Sequence, residues 1–221
     1  MRPKYTDMNI CAIIPDRGDR PRFTTKCIDY LKRQTLVPHR IAIVRNEPES
    51  DSPDLTKRVR KAYEALKHQY DVFCVIENDD WYSHAYIETM AKEWDNAGRP
   101  DLFGSNTTTY YHILKDQHRR MEHPNRSSLF TTWIKGGQTI PWPSDDTLNL
   151  DVYLWGLPVR KVTTKTELAI GIKHGQGMCG GQGHTTLKYD KQGAPPLLEA
   201  SEDIHWYWEL DRDWETPKVH I

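Results

Sequence analysis

Runs of apolar residues alternate with amphipathic segments through the first 100 residues of the chain. The apolar runs predict three buried strands, at 8–15, 40–44 and 71–76. Apolar residues that recur at helical spacing predict three helices, at 23–34, 53–69 and about 83–97. Because strands that alternate with helices through short connections build parallel sheets with right-handed crossovers, this order predicts an α/β fold.

The pattern is less regular after residue 100. Short apolar stretches predict three further strands, at 101–105, 107–113 and 168–172. An amphipathic piece at 150–157 predicts a short helix, and 171–184 is rich in glycine. The last 25 or so residues are acidic and rich in tryptophan, which indicates a tail that wraps the surface.

The composition indicates a folded protein without a strong charge bias. The chain has 221 residues, a net charge of −1, 8 Trp and 11 Tyr, whereas disordered chains are poor in aromatic residues. No apolar run approaches the roughly 20 residues of a membrane span, and no apolar signal segment follows Met1–Lys4. The four cysteines are scattered, and Cys11 and Cys74 fall in predicted strands, so we expect buried thiols and a cytoplasmic location.

Three carboxylates, Glu77, Asp79 and Asp80, follow the apolar run 71–76 directly. The carboxyl ends of strands are where open α/β folds bind ligands, and clustered carboxylates need a cation to offset their repulsion. Oxygen ligands of this kind suit Mg²⁺ or Mn²⁺, which commonly bridge a diphosphate. The alternative is that Asp79 or Asp80 caps a helix that starts near Ser83.

Several motifs together resemble family-two-type glycosyltransferases of the GT-A fold. The stretches 12–15, 20–21 and 27–35 resemble the opening strand, loop and helix of that family. The stretch 77–82 (Glu-Asn-Asp-Asp-Trp-Tyr) resembles its Asp-x-Asp motif, and 150–155 (Leu-Asp-Val-Tyr-Leu-Trp) is similar to the late element that carries its catalytic base.

The resemblance implies a Rossmann-like, three-layer α/β/α fold with a mostly parallel central sheet. It also implies one domain over 1–221, in which about 1–100 bind the nucleotide and about 101–221 bind the acceptor and supply the tail. The implied reaction moves a sugar from a nucleotide-diphosphate sugar to a hydroxyl of a saccharide, glycolipid, protein or modified DNA base. Seven residues are candidate ligands of the nucleotide sugar: Pro15, Asp16, Arg17, Arg20, Glu47, Asp80 and Lys173.

The glycine-rich segment supplies further candidate ligands. The family often takes a metal ligand from a C-terminal histidine, and glycines let the backbone pass close to phosphate. Lys173 beside them would bind phosphate as a point charge. The alternative is an exposed loop with incidental histidines. The candidate ligands of Mn²⁺ or Mg²⁺ are therefore Glu77, Asp79, His174 and His184.

Asp151 is the candidate general base, because the resemblance places it at the family's catalytic Asp. On a helix Asp151 and Trp155 share a face, so the indole would wall the acceptor site. A base of this kind predicts inversion at the anomeric carbon. The alternatives are that Asp151 is a capping or first-turn acid, or that Asp145 or Asp146 is the base.

Other residues give two more functional hypotheses. Basic residues in 115–126 would track a phosphate backbone, which suits a nucleic-acid-directed protein, including a glycosyltransferase of hydroxymethylated DNA bases. Carboxylates at a sheet edge also occur in nucleotidyltransferases. Four aromatic residues are candidates for stacking on sugar or base rings: Tyr110, Tyr111, Trp133 and Trp142.

Overall fold

The structure, a computed structural model, describes residues 5–45, 53–175 and 188–213. The first strands in these ranges are β1 (Ile10–Asp16), β2 (Arg40–Arg45), β3 (Val72–Val75), β4 (Trp81–Tyr82), β5 (Leu102–Ser105) and β6 (Thr107–His112). The later strands are β7 (Gln117–Glu122), β8 (Thr132–Lys135), β9 (Lys161–Thr164), β10 (Ala169–Lys173) and β11 (Lys191–Gln192).

The helices include both long amphipathic elements and short turns. They are α1 (Pro21–Lys32), α2 (Leu55–Leu66), α3 (Tyr86–Asn96), α4 (Leu150–Gly156), α5 (Pro196–Glu199) and α6 (Ile204–Asp213). Single 3₁₀ turns occur at Tyr5–Asp7, Ile113–Lys115 and Leu129–Thr131. Within the described ranges, no helix has the length and apolar character that a membrane span requires.

The larger sheet has six strands in the order β2-β1-β3-β8-β5-β9. β1 pairs in parallel with β2 and β3, and β5 pairs in parallel with β9. β8 is antiparallel to both of its neighbours, so five of the six strands run in one direction. The predicted mostly parallel sheet is therefore confirmed, and 71–76 contributes an interior strand.

Helices cover both faces of the larger sheet. On one face, Ile10, Ala12 and Ile14 of β1 pack in a core that includes α1 and α3. On the other face, Cys11 and Ile13 pack in a second core with α2 and α4. Burial of each large apolar side chain stabilises the fold by about 1.5–3 kcal/mol. The alternation of β1 residues between two cores confirms the predicted three-layer α/β/α architecture.

A second sheet was not predicted as a unit. It has the order β11-β7-β6-β10-β4, in which β6 and β10 are parallel and β4 is antiparallel to β10. β4 lies directly before the predicted start of the third helix at about 83, because Trp81 and Tyr82 pair with Ile170 and Ala169, and the helix itself begins at Tyr86. The short strands β7, β8 and β9 were also missed, since few of their residues form an apolar run.

Two predictions about buried residues have different outcomes. Cys11 and Cys74 are fully buried free thiols as predicted, and burial raises the pKa of Cys11 to about 12. The described part of the predicted surface tail also contributes to the core. Leu198, Ile204 and Tyr207 join the same core as α1, because the apolar side chains of α5 and α6 point inwards.

Gly171 of β10 tests how tightly this strand packs against Tyr110 of β6 and Phe130 of the turn Leu129–Thr131. A Cβ atom at Gly171 would lie 2.5 Å from Cδ1 of Tyr110 and 3.3 Å from Cζ of Phe130. We expect Gly171→Ala to lower the free energy of unfolding by about 1–3 kcal/mol, because overpacking forces buried side chains to move. Urea denaturation followed by tryptophan fluorescence measures the change.

Gly156→Ala is the matched control, since no atom lies within 4 Å of a Cβ atom at that position. We expect Gly156→Ala to leave stability unchanged or to raise it by up to about 1 kcal/mol through helix propensity. Equal stability of Gly171→Ala and the wild-type protein would show that this packing is looser than the structure indicates.

Candidate active site

The ends of three strands bring the predicted site residues together. β1 and β3 are neighbouring parallel strands, so the loops that follow Asp16 and Val75 leave the same edge of the larger sheet. β4 continues from the second of these loops and pairs with β10, which ends at Lys173. The acidic loop therefore lies against the residues that follow β10, although about 95 residues separate them in the chain.

The three predicted carboxylates form one cluster. One oxygen from each of Glu77, Asp79 and Asp80 lies within 4.8 Å of the other two. Asp80 is buried and the other two are half-buried. The alternative that Asp79 or Asp80 caps a helix is wrong, because α3 begins only at Tyr86 and its N-cap residue is Ala85.

Asp79 is held by two cationic or potentially cationic side chains. Its Oδ2 atom accepts a hydrogen bond from Arg20 Nη1 at 2.6 Å and lies 2.9 Å from His174 Nε2. Arg20 Nη1 is also 3.2 Å from His174 Nε2. Burial alone would raise the pKa of Asp79, but Arg20 and His174 outweigh burial and hold that pKa below its usual value.

His174 is almost fully buried, with 1% of its surface exposed. Its ring packs against Phe23 of α1, with 4.8 Å between the ring centroids. This burial argues against an incidental histidine on an exposed loop. The structure therefore places two predicted metal ligands, Asp79 and His174, in direct contact.

The pKa values of Glu77 and Asp80 are shifted in the opposite direction from that of Asp79. Burial and the charge of Asp79 raise the pKa of Glu77 to about 7 and also raise the pKa of Asp80. The Asp80 carboxylate accepts a hydrogen bond from the backbone N–H of Ile172 at 2.8 Å, and the Glu77 N–H donates to Tyr82 Oη at 3.0 Å. These bonds fix the acidic loop to β10 and β4.

Lys173 is a buried counter-charge to the cluster. Its Nζ atom lies 5.0 Å from the centroid of the Tyr110 ring. Burial favours the neutral amine, but Asp80, Tyr110, Glu77 and Asp79 outweigh it and raise the pKa of Lys173. The side chain therefore stays cationic beside the carboxylates.

Asp16 organises the loop beside the cluster. It has no exposed surface, and Arg45 donates to its Oδ2 through Nε and Nη2 at 3.1 and 2.9 Å. Its Oδ1 accepts hydrogen bonds from the Gly18 N–H at 3.0 Å, from Thr24 Oγ1 at 3.0 Å and from Asn78 Nδ2 at 3.4 Å. Both oxygens are thus engaged within the protein, which makes Asp16 a positioning residue for the loop.

The donor set fits a divalent cation. Three carboxylates lie within 4.8 Å of one another, and the His174 imidazole contacts one of them, Asp79. Burial and the charge of Asp79 raise the pKa values of Glu77 and Asp80, so a bound cation would favour their ionised forms. Hard oxygen donors with one nitrogen donor suit Mn²⁺ or Mg²⁺. Arg20 now neutralises Asp79, so a bound cation would share Asp79 with Arg20.

Asp151 lies near this cluster, in the first turn of α4. Its charge is one of the smaller contributions to the raised pKa of Glu77, after burial and the charge of Asp79. Its Oδ2 forms an ion pair with Arg126 Nη1. This position suits a base that faces the acceptor, and it is also that of a first-turn acid. The rival Asp145 pairs with Arg60 of α2 at 2.9 Å.

Most of the aromatic residues predicted to contact a ligand are closed to one in the structure. Trp155 is buried in the core, where its Nε1 donates to Thr132 Oγ1 at 3.1 Å, so it does not wall an acceptor site. Trp133 and Tyr111 have no exposed surface and are closed to a ligand. Trp142 packs on α2, where its Nε1 donates to Glu64 Oε1 at 2.7 Å.

Pro15, Arg17 and Glu47 are the remaining residues predicted to bind the nucleotide sugar. Pro15 is a buried residue of β1 and pairs with Val44. Arg17 lies in the loop after β1, with its Nε 3.4 Å from Asp19 Oδ2. Glu47 and His184 lie outside the described residues.

Acidic partners neutralise part of the basic segment 115–126. Arg120 forms an ion pair with Glu167 at 2.7 Å, and Arg126 forms one with Asp151. Much of the segment is strand β7 of the second sheet. The positive surface that would track a nucleic-acid backbone is therefore smaller than the sequence indicates.

Sequence analysis missed three partners of the site: the ion pair of Arg20 with Asp79, the Arg126 partner of Asp151, and the bond of Asn78 to Thr24. No short sequence motif predicts such pairs, because each pair joins residues that are distant in the chain.

The fold defined here is mixed α/β and Rossmann-like, with a parallel-rich sheet. No protein-family model and no curated protein matches the chain. Solved structures that match include residues 1–349 of TarS from S. aureus in complex with UDP-GlcNAc. That match has a TM-score of 0.49 and 13% identity and covers 77% of this chain. The chain spans 60% of the length of that solved TarS chain.

Asp16→Asn tests whether the buried Asp16 carboxylate stabilises the loop after β1. Burial favours the neutral acid, but the hydrogen bonds from Gly18, Arg45 and Thr24 and the charge of Arg45 lower the pKa of Asp16. A lowered pKa in the folded state adds stability that is full above the unfolded pKa of about 4 and is lost as the pH falls. We expect Asp16→Asn to lower the free energy of unfolding by about 1.5–3 kcal/mol at pH 7.

The measurement is urea denaturation of both proteins at several pH values between 3 and 7. The difference should shrink as the pH falls below about 4. Asp19→Asn is the control, because Asp19 is 55% exposed and exposed ion pairs are worth about 0–1 kcal/mol. A difference that stays constant with pH would show that the Asp16 charge does not stabilise the fold.

Proposed function

We propose that the chain is a metal-dependent glycosyltransferase that moves a sugar from a nucleotide-diphosphate sugar to an acceptor hydroxyl with inversion. The observation that carries this proposal is the contact between Asp79 and His174 within the cluster of Glu77, Asp79 and Asp80. These are the residue types that hold a divalent cation against a diphosphate, and they lie at the carboxyl ends of strands.

The donor would lie across the ends of β1 and β3. The loop after β1, which Asp16 holds in place, would contact the nucleoside, and Pro15 and Arg17 belong to the same loop. Lys173 and Arg20 are buried or half-buried cations beside the carboxylates, so they would attract the diphosphate. Electrostatic attraction is strong there, because the site excludes much of the water.

Glu77, Asp79 and His174 would hold Mn²⁺ or Mg²⁺, which neutralises the charge of the leaving diphosphate when bound. Asp80 is better suited to position the loop, since its carboxylate already accepts the Ile172 N–H. Arg20 keeps Asp79 ionised, so the carboxylate remains a competent ligand at neutral pH.

Asp151 would accept the proton of the acceptor hydroxyl. The hydroxyl oxygen forms a bond to the anomeric carbon, while the bond from that carbon to the diphosphate oxygen breaks and leaves its electron pair on the diphosphate. A single displacement of this kind inverts the anomeric centre. Arg126 holds the Asp151 carboxylate in place before the acceptor arrives.

The proposed acceptor is a saccharide, glycolipid or protein. A modified DNA base is the less favoured acceptor, because Glu167 and Asp151 neutralise two arginines of the basic segment. Retention on DNA that falls steeply with salt would instead favour a nucleic-acid acceptor.

Asp79→Asn tests the metal site. We expect the metal-dependent part of nucleotide binding to weaken by more than about 100-fold, because loss of a group that only orients a metal ligand already costs about 10–100-fold. The measurement is calorimetry with UDP, GDP, CDP and TDP compounds, with and without Mn²⁺. Asp29→Asn is the control, because Asp29 is an exposed acid of α1. Metal-dependent binding that is the same in Asp79→Asn and the wild-type protein would exclude Asp79 as a ligand.

Asp151→Asn tests the base. The substitution keeps size but removes proton acceptance, so kcat should fall by about 10²–10⁴-fold while donor affinity is retained. Asp145→Asn is the control for the rival acid and should retain activity. NMR of the product gives the anomeric configuration. A retained anomer, or undiminished kcat in Asp151→Asn, would remove Asp151 from the mechanism.

A further inference from the structure

Two buried side chains beside the candidate active site each have a polar atom without a hydrogen-bond partner among the described residues. These atoms are His112 Nδ1 and Tyr189 Oη. His112 is 4% exposed and Tyr189 is 8% exposed. The two rings meet edge to face, with 5.4 Å between their centroids and 86° between their planes. Because buried polar groups are normally hydrogen-bonded, this pair indicates a polar ligand.

The pair lies at the carboxyl ends of two neighbouring parallel strands. His112 ends β6 and is paired with Lys173, which ends β10. The chain after His174 then runs against the turn that follows β6, since a Cβ atom at Gly175 would lie 2.9 Å from Leu114 Cδ1. His112 therefore lies next to the candidate active site, on the other side of Lys173 from the carboxylates.

Cationic side chains lie near both members of the pair. Lys115 Nζ lies 5.7 Å from the centroid of the Tyr189 ring. Burial and the charges of Lys115 and Lys173 lower the pKa of His112. The charges of Lys173 and Arg119 also act on Tyr189, where they oppose the effect of burial.

Among the charged side chains described near the pair, Lys173 is buried, whereas Lys115 is exposed. Asp116 and Asp190 lie close in the sequence, but both are exposed. Asp116 already accepts a hydrogen bond from Tyr111 Oη at 2.8 Å. A buried hydroxyl and a buried ring nitrogen among cations suit an anion with several acceptor oxygens.

We propose that His112 and Tyr189 form an anion subsite that binds a phosphate or carboxylate group carried by the acceptor. The identification of the ligand as an acceptor rests on the proposed glycosyltransferase function, whereas anion binding itself does not. The donor diphosphate would lie on the side of Lys173 that faces Asp80, and the acceptor anion on the side that faces His112. The substrate class is therefore an anionic saccharide, such as a sugar phosphate.

The test uses inorganic phosphate as the probe and the whole chain. Calorimetry should show saturable binding of one phosphate, and Tyr189→Phe should weaken it by about 10-fold, since a hydrogen bond to a charged group is lost. His112→Phe should weaken it similarly and also identifies the His112 resonances among the 10 histidines. Those resonances should shift when phosphate is added to the wild-type protein.

Tyr153→Phe is the matched control, because the Tyr153 hydroxyl donates to Pro141 O outside this region. It should leave phosphate affinity unchanged. The proposal fails if the wild-type protein binds no phosphate saturably, or if Tyr189→Phe and His112→Phe both bind phosphate as the wild type does.

Two competition measurements separate the sources of the anion. With UDP and Mg²⁺ at saturation, phosphate should still bind, and displacement would assign the subsite to the donor diphosphate and overturn the proposal. A hexose phosphate should displace inorganic phosphate, whereas the unphosphorylated hexose should not. Failure of the hexose phosphate to compete would overturn the acceptor assignment. Phosphate binding without any nucleotide binding would leave the anion site standing and refute the proposed glycosyltransferase function.

Discussion

The concentration of buried negative charge at the ends of β1 and β3 is the constraint on which the site depends. Asp16, Glu77, Asp79 and Asp80 crowd into one region of low exposure. Isolated charges of this kind are costly to remove from water, so each acid needs a partner or a proton. Asp16 and Asp79 form ion pairs with arginines. Glu77 and Asp80 instead have raised pKa values, which favours their protonated forms.

These partners also join the two sheets. Arg20 comes from the loop before α1, whereas Lys173 and His174 come from the end of β10 in the second sheet. The bond from the Ile172 N–H to Asp80 adds a backbone link between the same two regions. The electrostatic balance of the cluster thus fixes how the second sheet meets the larger one, because a shifted β10 would leave buried carboxylates without counter-charges.

The same balance shapes the proposed chemistry. Arg20 and His174 hold Asp79 ionised, while burial and the charge of Asp79 raise the pKa of Glu77 to about 7. Lys173 separates this acidic side from the cationic surroundings of His112 and Tyr189. The proposed division between a donor diphosphate and an acceptor anion rests on this difference in charge.

The sequence determined much of the first half of the fold. Apolar runs and helical spacing located β1, β2, β3 and the helices between them, because those periodicities follow from the geometry of each element. The sequence also predicted that Glu77, Asp79 and Asp80 lie directly after β3, because the end of a buried apolar run marks the edge of a sheet. What the sequence did not locate were short strands such as β4, which depend on a partner strand rather than on their own pattern.

Only the tertiary structure decided which side chains serve the site. It brought His174 onto Asp79 and Lys173 beside Asp80, paired Arg20 with Asp79, and placed Trp133 and Trp155 in the core. The composition of a segment cannot settle such questions, because an aromatic or basic side chain has the same local pattern in a core, an ion pair or a binding site. The difference comes from residues that are far away in the chain, and their positions are set only when the two sheets pack together.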